Sequence, residues 1–123
     1  MSTEREFTIE EANALLPALR ESLDRLRAAR QTVLKGGARI RASAPTNGGG
    51  SFSAEYLDAL TAVRREVELI TGEGVILRDA ETGLLDFPAR RDGEQVFLCW
   101  RPDEASVGYF HGPETGFAGR RPL

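Results

Sequence analysis

The chain is poor in the residues that most often carry chemistry. Its 123 residues include one cysteine, Cys99, one histidine, His111, and one tryptophan, Trp100. A single cysteine excludes an internal disulfide bond and agrees with a reducing compartment. A closed zinc site built from Cys and His alone is also disfavoured, because such sites normally use four of these side chains.

Long apolar runs and an excess of positive charge are missing as well. No stretch approaches the roughly 20 apolar residues that cross a bilayer, and the start, MSTEREFTIEEANALL, has no apolar run preceded by basic charge. We therefore expect a cytoplasmic protein that does not bind membranes. The net charge of -3 argues against nucleic-acid phosphates as the dominant partner, so nucleic acid is the weakest partner class.

The length and ordinary composition predict one domain, residues 1–123, whose first segment is an amphipathic helix over residues 8–35. Thr8 and Glu11 have the spacing of a capping box. Pro17 leaves two alternatives open, a kinked helix or two helices that meet there. Apolar residues recur every three or four positions in a heptad-like seam that comprises Ile9, Ala12, Leu16, Leu19, Leu23, Leu26 and Val33.

A second helix is predicted over residues 53–71, with Ser53 as its cap and a similar apolar seam. The intervening residues 36–50, GGARIRASAPTNGGG, contain five glycines with Pro, Ser, Thr and Asn, which predicts a flexible linker. Two such helices pack most simply as an antiparallel, coiled-coil-like hairpin.

From residue 75 the hydrophobic period changes from helical to alternating. The segments VILRD, LLDF, QVFLCWR and VGYFH are separated by turn sequences, which predicts a four-stranded antiparallel β-meander over residues 75–111. Residues 112–123 are expected to form an ordered tail pinned by Phe117. The fold class is therefore α+β, with the helical hairpin packed on one face of the meander.

Strand alternation assigns the three rare residues, Cys99, Trp100 and His111, to the two faces of the predicted sheet. If residues 102–106 form the last loop, Cys99 lies opposite Tyr109 and Phe97 lies opposite His111. Cys99 and His111 then become diagonal neighbours on one face, which also carries Val107, while Trp100 packs in the core on the other. A shift of one residue in this loop would send Cys99 and His111 to opposite faces.

Three interpretations of Cys99 and His111 stay open. The first is a buried small side chain beside a hydrogen-bonding histidine, and the second is a metal or cofactor site for zinc, iron or heme. In the second, oxygen ligands come from Asp86 or Glu114, although a hydrogen bond from Asp86 to the neighbouring turn is the simpler expectation. The third is covalent catalysis by a Cys–His pair.

Three further side chains are candidate contacts for an anion or another ligand. Arg101 and Arg120 carry positive charge near this hairpin, and Tyr109 is predicted to lie opposite Cys99. Arginines near a strand end or a chain terminus are commonly solvated, so this hypothesis is weaker than the metal site.

Three segments resemble a bacterial family known as domain of unknown function 2203. They are FTIEEANALLPAL at 7–19, GVILRDAETGLLDFPARRDGEQVFLCWR at 74–101 and GYFHGPETGFAGRRPL at 108–123. The resemblance implies a small soluble bacterial protein with no established activity. It also implies that the distinguishing residues lie in the sheet and tail, namely Asp86, Phe87, Pro88, Cys99, Trp100, His111, Gly116, Phe117, Gly119 and Arg120. Phe110 departs from the family pattern, in which a tryptophan precedes the histidine.

Two functions follow as hypotheses. The first is a non-enzymatic module that binds a protein partner or a second copy of itself through its helical faces, because four leucines lie off the seams. They are Leu15, Leu34, Leu57 and Leu69. The second is a metal or cofactor site around Cys99 and His111, with or without catalysis.

Overall fold

The structure is a computed structural model that describes residues 5–47 and 53–123, with only the backbone described over 43–47. Two helices precede a five-stranded antiparallel sheet, so the predicted α+β class is confirmed. The helices are α1 Ile9–Asn47 and α2 Ala54–Gly72. The strands are β1 Ile76–Asp79, β2 Leu84–Arg91, β3 Glu94–Trp100, β4 Tyr109–His111 and β5 Arg121–Pro122. Across the described ranges, neither helix has the length and apolarity that would span a membrane.

Helix α1 begins at the predicted capping box. The Thr8 amide donates to Glu11 Oε1 at 2.9 Å, and the Glu11 amide donates to Thr8 Oγ1 at 3.0 Å. The hydrogen bond from the Thr8 amide holds the pKa of Glu11 below its usual value. The helix then runs through Pro17 without interruption, so the alternative of two separate helices is wrong.

The predicted linker is wrong over residues 36–47, where α1 continues as a helix, and residues 48–50 lie outside the described part of the chain. At the first of these residues, Gly36, the physical reason is tertiary packing against the start of α2. The Tyr56 ring lies so close to Gly36 that a Cβ there would come within 2.3 Å of its Cδ1 atom. Glycine costs about 1 kcal/mol in a helix, and this close approach is one that only glycine permits.

Helix α2 has the predicted cap, since Ser53 Oγ accepts from the Tyr56 amide at 3.0 Å. It packs along α1, and the two helices are joined in their interior by a buried acid. Glu66 accepts from Ser22 Oγ at 2.7 Å and from Arg25 Nε at 3.0 Å, and Arg65 Nε lies 3.6 Å from it. These partners satisfy both carboxylate oxygens.

The sheet follows the chain in the order β1-β2-β3-β4-β5. The meander was predicted with four strands, and the structure adds a short fifth strand from the tail. Strand β5 pairs Pro122 with Tyr109 and Arg121 with Phe110, and the Leu123 amide donates to the Gly108 carbonyl at 2.9 Å. An Arg-Pro pair has no strand pattern of its own, which is why alternation did not reveal it.

The main core lies between the helices and one face of the sheet. Trp100 is fully buried there, as predicted, and its Nε1 donates to the Glu104 carbonyl at 2.9 Å. Val107 was placed on the Cys99 face and instead packs in this core. Residues 101–108 form a turn-rich loop, so strand alternation does not extend through them. The Val107 amide donates to Asn13 Oδ1 of α1 at 2.8 Å.

Candidate metal centre

The sheet face turned away from the helices carries Asp86, Cys99 and His111, which we call the three-donor cluster. Asp86 pairs with Cys99 across β2 and β3, while Cys99 pairs with Tyr109 and Phe97 pairs with His111 across β3 and β4. This is the predicted hairpin register. One potential ligand atom from each member lies within 4.8 Å of the others, and all three side chains are buried.

His111 is fixed by contacts on both ring nitrogens. Its Nδ1 lies 2.7 Å from the Gly112 carbonyl, and its Nε2 lies 2.8 Å from Asp86 Oδ2. A carbonyl and an ionised carboxylate only accept hydrogen bonds, so both ring nitrogens are placed to donate; Nε2 is the one that faces the cluster, where an ion would take the place of its proton. Phe97 stacks on the imidazole with a centroid separation of 5.5 Å, which fixes the plane of the ring.

Asp86 is satisfied on one oxygen only. Its Oδ2 accepts from Arg78 Nε at 2.8 Å and faces His111 Nε2, whereas Oδ1 is buried without a hydrogen-bond partner among the described residues. A buried carboxylate oxygen without a partner is costly, so this atom indicates a missing donor or cation.

The expected hydrogen bond from Asp86 to the neighbouring turn is not formed. Asp79 supplies the side-chain oxygens of that turn instead, accepting from the Glu81 amide and from Thr82 Oγ1, each at 3.0 Å. Strand alternation explains the difference, because it directs the Asp86 side chain into the cluster and leaves the turn to a residue at the end of β1.

Cys99 is a protonated thiol at neutral pH. Burial raises the pKa of its thiol to about 11, against the opposing effect of Arg120, whose Nη1 lies 3.9 Å from Sγ. Covalent catalysis needs a thiolate paired with an imidazolium. Both nitrogens of His111 face oxygen atoms, so the geometry does not provide that pair.

Two of the three predicted anion contacts, Tyr109 and Arg120, lie beside Cys99, and all three contact other protein groups. Arg120 makes a bidentate ion pair with Glu104, at 3.1 Å to Oε1 and 2.7 Å to Oε2, and this pairing raises its pKa further. The Arg120 guanidinium also lies 3.9 Å from the centroid of the Tyr109 ring. Arg101 Nε lies 2.9 Å from Asp103 Oδ1, within ion-pair distance but without the geometry of a hydrogen bond. Their role as ligand contacts stays a prediction.

A cleft of about 380 Å³ opens beside Asp86 and His111. Its walls include Arg78 and Leu84 on one side and tail residues 113–117 on the other. Glu114 lies on this wall as an exposed side chain and is not one of the clustered donors. The tail therefore does more than close the sheet, since it also forms one wall of the cleft beside the three-donor cluster.

Arg78 is the residue of this site that sequence reasoning missed. Ile76 pairs with Asp86, and the register shifts by one residue between Leu77 and Asp79, which places Arg78 in an irregular part of β1. The shared parity of Ile76 and Arg78 was the available signal, because it puts both on the face of Asp86. Using it required the β1–β2 register, which the turn sequence AETG alone does not specify.

Comparisons with known proteins give one match. A family model described as "Uncharacterized conserved protein (DUF2203)" matches residues 5–123. No curated protein and no solved structure matches the chain. The matched range includes every member of the three-donor cluster and both walls of the cleft.

Proposed function

The chain belongs to the DUF2203 family of uncharacterised conserved proteins, and we propose that it binds one transition-metal ion, zinc or ferrous iron, through Asp86, Cys99 and His111. The observation that carries the proposal is the buried Oδ1 atom of Asp86, which has no hydrogen-bond partner in the described structure. It belongs to a cluster in which a thiol and an imidazole nitrogen are the other near donors.

The distances fit an ion after a small contraction. Tetrahedral zinc, with bonds of about 2.0–2.3 Å, separates its ligand atoms by about 3.3–3.6 Å. The widest separation in the three-donor cluster is bounded at 4.8 Å, so the donors need to approach by about 1 Å. His111 Nε2 and Asp86 Oδ2 start closer, at 2.8 Å, and have to separate.

The surroundings orient each donor. The Gly112 carbonyl accepts from His111 Nδ1 and so presents Nε2 to the ion, which is the usual arrangement around a metal-bound histidine. Arg78 holds Asp86 Oδ2 and leaves Oδ1 free. Arg120 lies near the sulfur and favours the thiolate that a metal requires.

The donor set indicates a site with an open position. A thiolate, an imidazole and a carboxylate suit zinc or ferrous iron, and three protein ligands leave the fourth position to water or another ligand. Glu114, on the wall of the cleft, is our candidate for that position when no other ligand is bound. We argue for a single ion and not for heme, because the three donors converge on one point.

Metal analysis of untagged protein tests the proposal. We expect close to one equivalent of zinc or iron per chain, and a thiolate-to-metal absorption band when the metal-free protein is titrated with cobalt(II). Asp86→Asn and Cys99→Ser should each weaken cobalt binding by at least about tenfold. Glu81→Gln, an exposed acid in the β1–β2 turn, is the matched control and should bind as the wild type does. A protein with no metal and no cobalt band would refute the centre.

A second candidate function is self-association through the part of the helical hairpin beyond the core. Leu34, Leu57 and Leu60 are 49%, 48% and 41% exposed there, and Leu69, nearer the core, is 54% exposed. Leu15, by contrast, packs against the core and needs no partner. We propose a second copy of the chain as the occupant, because the same heptad-like packing that joins α1 to α2 can be extended by two further helices.

Light scattering after size exclusion tests self-association. A dimer that is lost in the double variant Leu57→Gln/Leu60→Gln supports it. Leu69→Gln, which changes the exposed leucine nearer the core, is the control on the same helix and should leave the dimer intact. A monomer at high micromolar concentration would refute it.

A further inference from the structure

We propose that the cleft beside the three-donor cluster binds a small oxyanion, a carboxylate or a phosphate group, between the metal ion and Arg78. This inference rests on the proposed metal centre and assigns the class of ligand that completes it. One oxygen of the anion occupies the open metal position, and another accepts from the terminal nitrogens of Arg78.

The first support is the arrangement of Arg78. Its Nε donates to Asp86 Oδ2 at 2.8 Å, and its guanidinium carbon lies 5.2 Å from the centroid of the Phe97 ring. These two contacts fix the guanidinium at the cleft wall, where the side chain is 43% exposed. Within the described structure, its Nη1 and Nη2 have no acceptor.

Two other arginines of the sheet and tail, Arg90 and Arg120, use their terminal nitrogens inside the protein. Both Nη atoms of Arg120 bind Glu104, and those of Arg90 reach Glu6 and the Gly93 carbonyl. Arg78 differs from these two because only its Nε is committed. A fixed guanidinium with free terminal donors is the form in which arginine recognises carboxylate and phosphate oxygens.

The size and lining of the cleft limit the ligand. A volume of about 380 Å³ is near the lower end of the roughly 300–1,000 Å³ that small-molecule sites occupy. Thr115 and the Gly116 backbone add polar groups, whereas Leu84, Pro113 and Phe117 form apolar walls. The ligand is therefore a small molecule with a charged end and a short apolar or neutral body.

The local charges do not repel such an anion once a divalent ion is present. Asp86, Glu114 and a metal-bound Cys99 thiolate carry three negative charges. The ion and Arg78 together carry three positive ones. The arginine therefore supplies the charge that makes this centre neutral and open to an anionic ligand.

The test uses cobalt(II)-loaded full-length protein at constant pH and ionic strength. We titrate acetate and inorganic phosphate separately, which distinguishes the two sources of oxyanion, and we follow the cobalt absorption bands. We expect one of the two to shift the bands with saturation, and Arg78→Gln to weaken its binding at least tenfold. Thiocyanate, which can occupy a metal position without using a guanidinium, should bind both proteins equally.

The controls separate the possible failures. Cobalt affinity is measured first for each variant, so a loss of metal is not mistaken for a loss of anion. Arg90→Gln, which removes another arginine of the sheet, should leave oxyanion binding unchanged. Arg78→Lys should be intermediate, because one ammonium cannot serve both Asp86 and the anion. Failure to bind cobalt refutes the metal centre and this inference with it. Cobalt binding with no oxyanion effect, or with equal effects in wild type and Arg78→Gln, refutes this inference alone.

Discussion

The two faces of the sheet are both buried, yet by different means and with different side chains. Strand β2 places Leu85 and Phe87 toward the helices and Asp86 away from them, and β3 divides Trp100 and Cys99 in the same way. Apolar burial on the helix side stabilises the fold at about 25 cal/mol per Å². Polar burial on the tail side costs desolvation, so packing alone does not account for it. The difference is the reason why we propose the tail side as the functional face.

The largest expected effect tests the helix side. Trp100→Ala should lower the free energy of unfolding by about 3–5 kcal/mol, because it removes a fully buried indole from the core. Urea denaturation followed by circular dichroism measures the loss. Phe117→Ala, at a tail side chain that is 36% exposed, is the control and should cost clearly less. Equal losses would mean that the tail side also depends on apolar packing, and the contrast between the faces would fail.

The second largest expected effect is the stabilisation of the folded chain by zinc, which tests the tail side. Zinc at 100 times its dissociation constant should raise the free energy of unfolding by about 2.7 kcal/mol, because only the folded chain brings the three donors together. Thermal unfolding with and without zinc measures this, and Cys99→Ser should abolish the gain while Glu81→Gln keeps it. A wild-type curve that zinc leaves unchanged would contradict a site on this face.

The sequence was sufficient to predict some features of the fold and of the site, but not others. Alternation in LLDF and LCWR, with the length of the PDEAS loop, was sufficient to place Cys99 beside His111 and Trp100 in the core. Glycine-rich composition failed at Gly36, because the contact with Tyr56 overrides local propensity. The unpartnered Oδ1 of Asp86 and the free end of Arg78 could not be predicted either, since both depend on a strand irregularity and on side-chain rotamers.

Glu66, which is buried between the two helices, contrasts with Asp86 because both of its carboxylate oxygens have hydrogen-bond partners. The hydrogen bond from Arg25 holds the pKa of Glu66 below its ordinary value of 4.5, with smaller help from Ser22. A lowered folded-state pKa stabilises the protein above that ordinary value, and the stabilisation is lost as the pH falls through the folded-state pKa. Glu66→Gln should therefore cost roughly 1.5 kcal/mol at pH 7 and much less at low pH. Denaturation at several pH values measures this, and Glu68→Gln, an exposed acid on α2, should show no such dependence.

The smallest expected effect is that of Cys99→Ala, which is compared with Trp100→Ala at the neighbouring position in β3. Cys99→Ala in metal-free protein should cost only about 1 kcal/mol, because it removes one buried heavy atom where Trp100→Ala removes a whole indole. In the presence of zinc the same substitution should also lose the stabilisation that the ion provides. The difference between the two conditions isolates the contribution of Cys99 to metal binding from its contribution to packing.

Urea denaturation of wild type and Cys99→Ala, each with and without zinc, measures that difference, with Ala89→Gly as a control for a small buried side chain on the helix side. The control should lose the same stability in both conditions. If Cys99→Ala also loses the same amount with and without zinc, the sulfur is a packing group and Asp86 and His111 lack their third donor. A larger loss with zinc means instead that Cys99, the one cysteine of the chain, contributes mainly as a metal ligand, since the volume of its side chain contributes little to the stability of the fold.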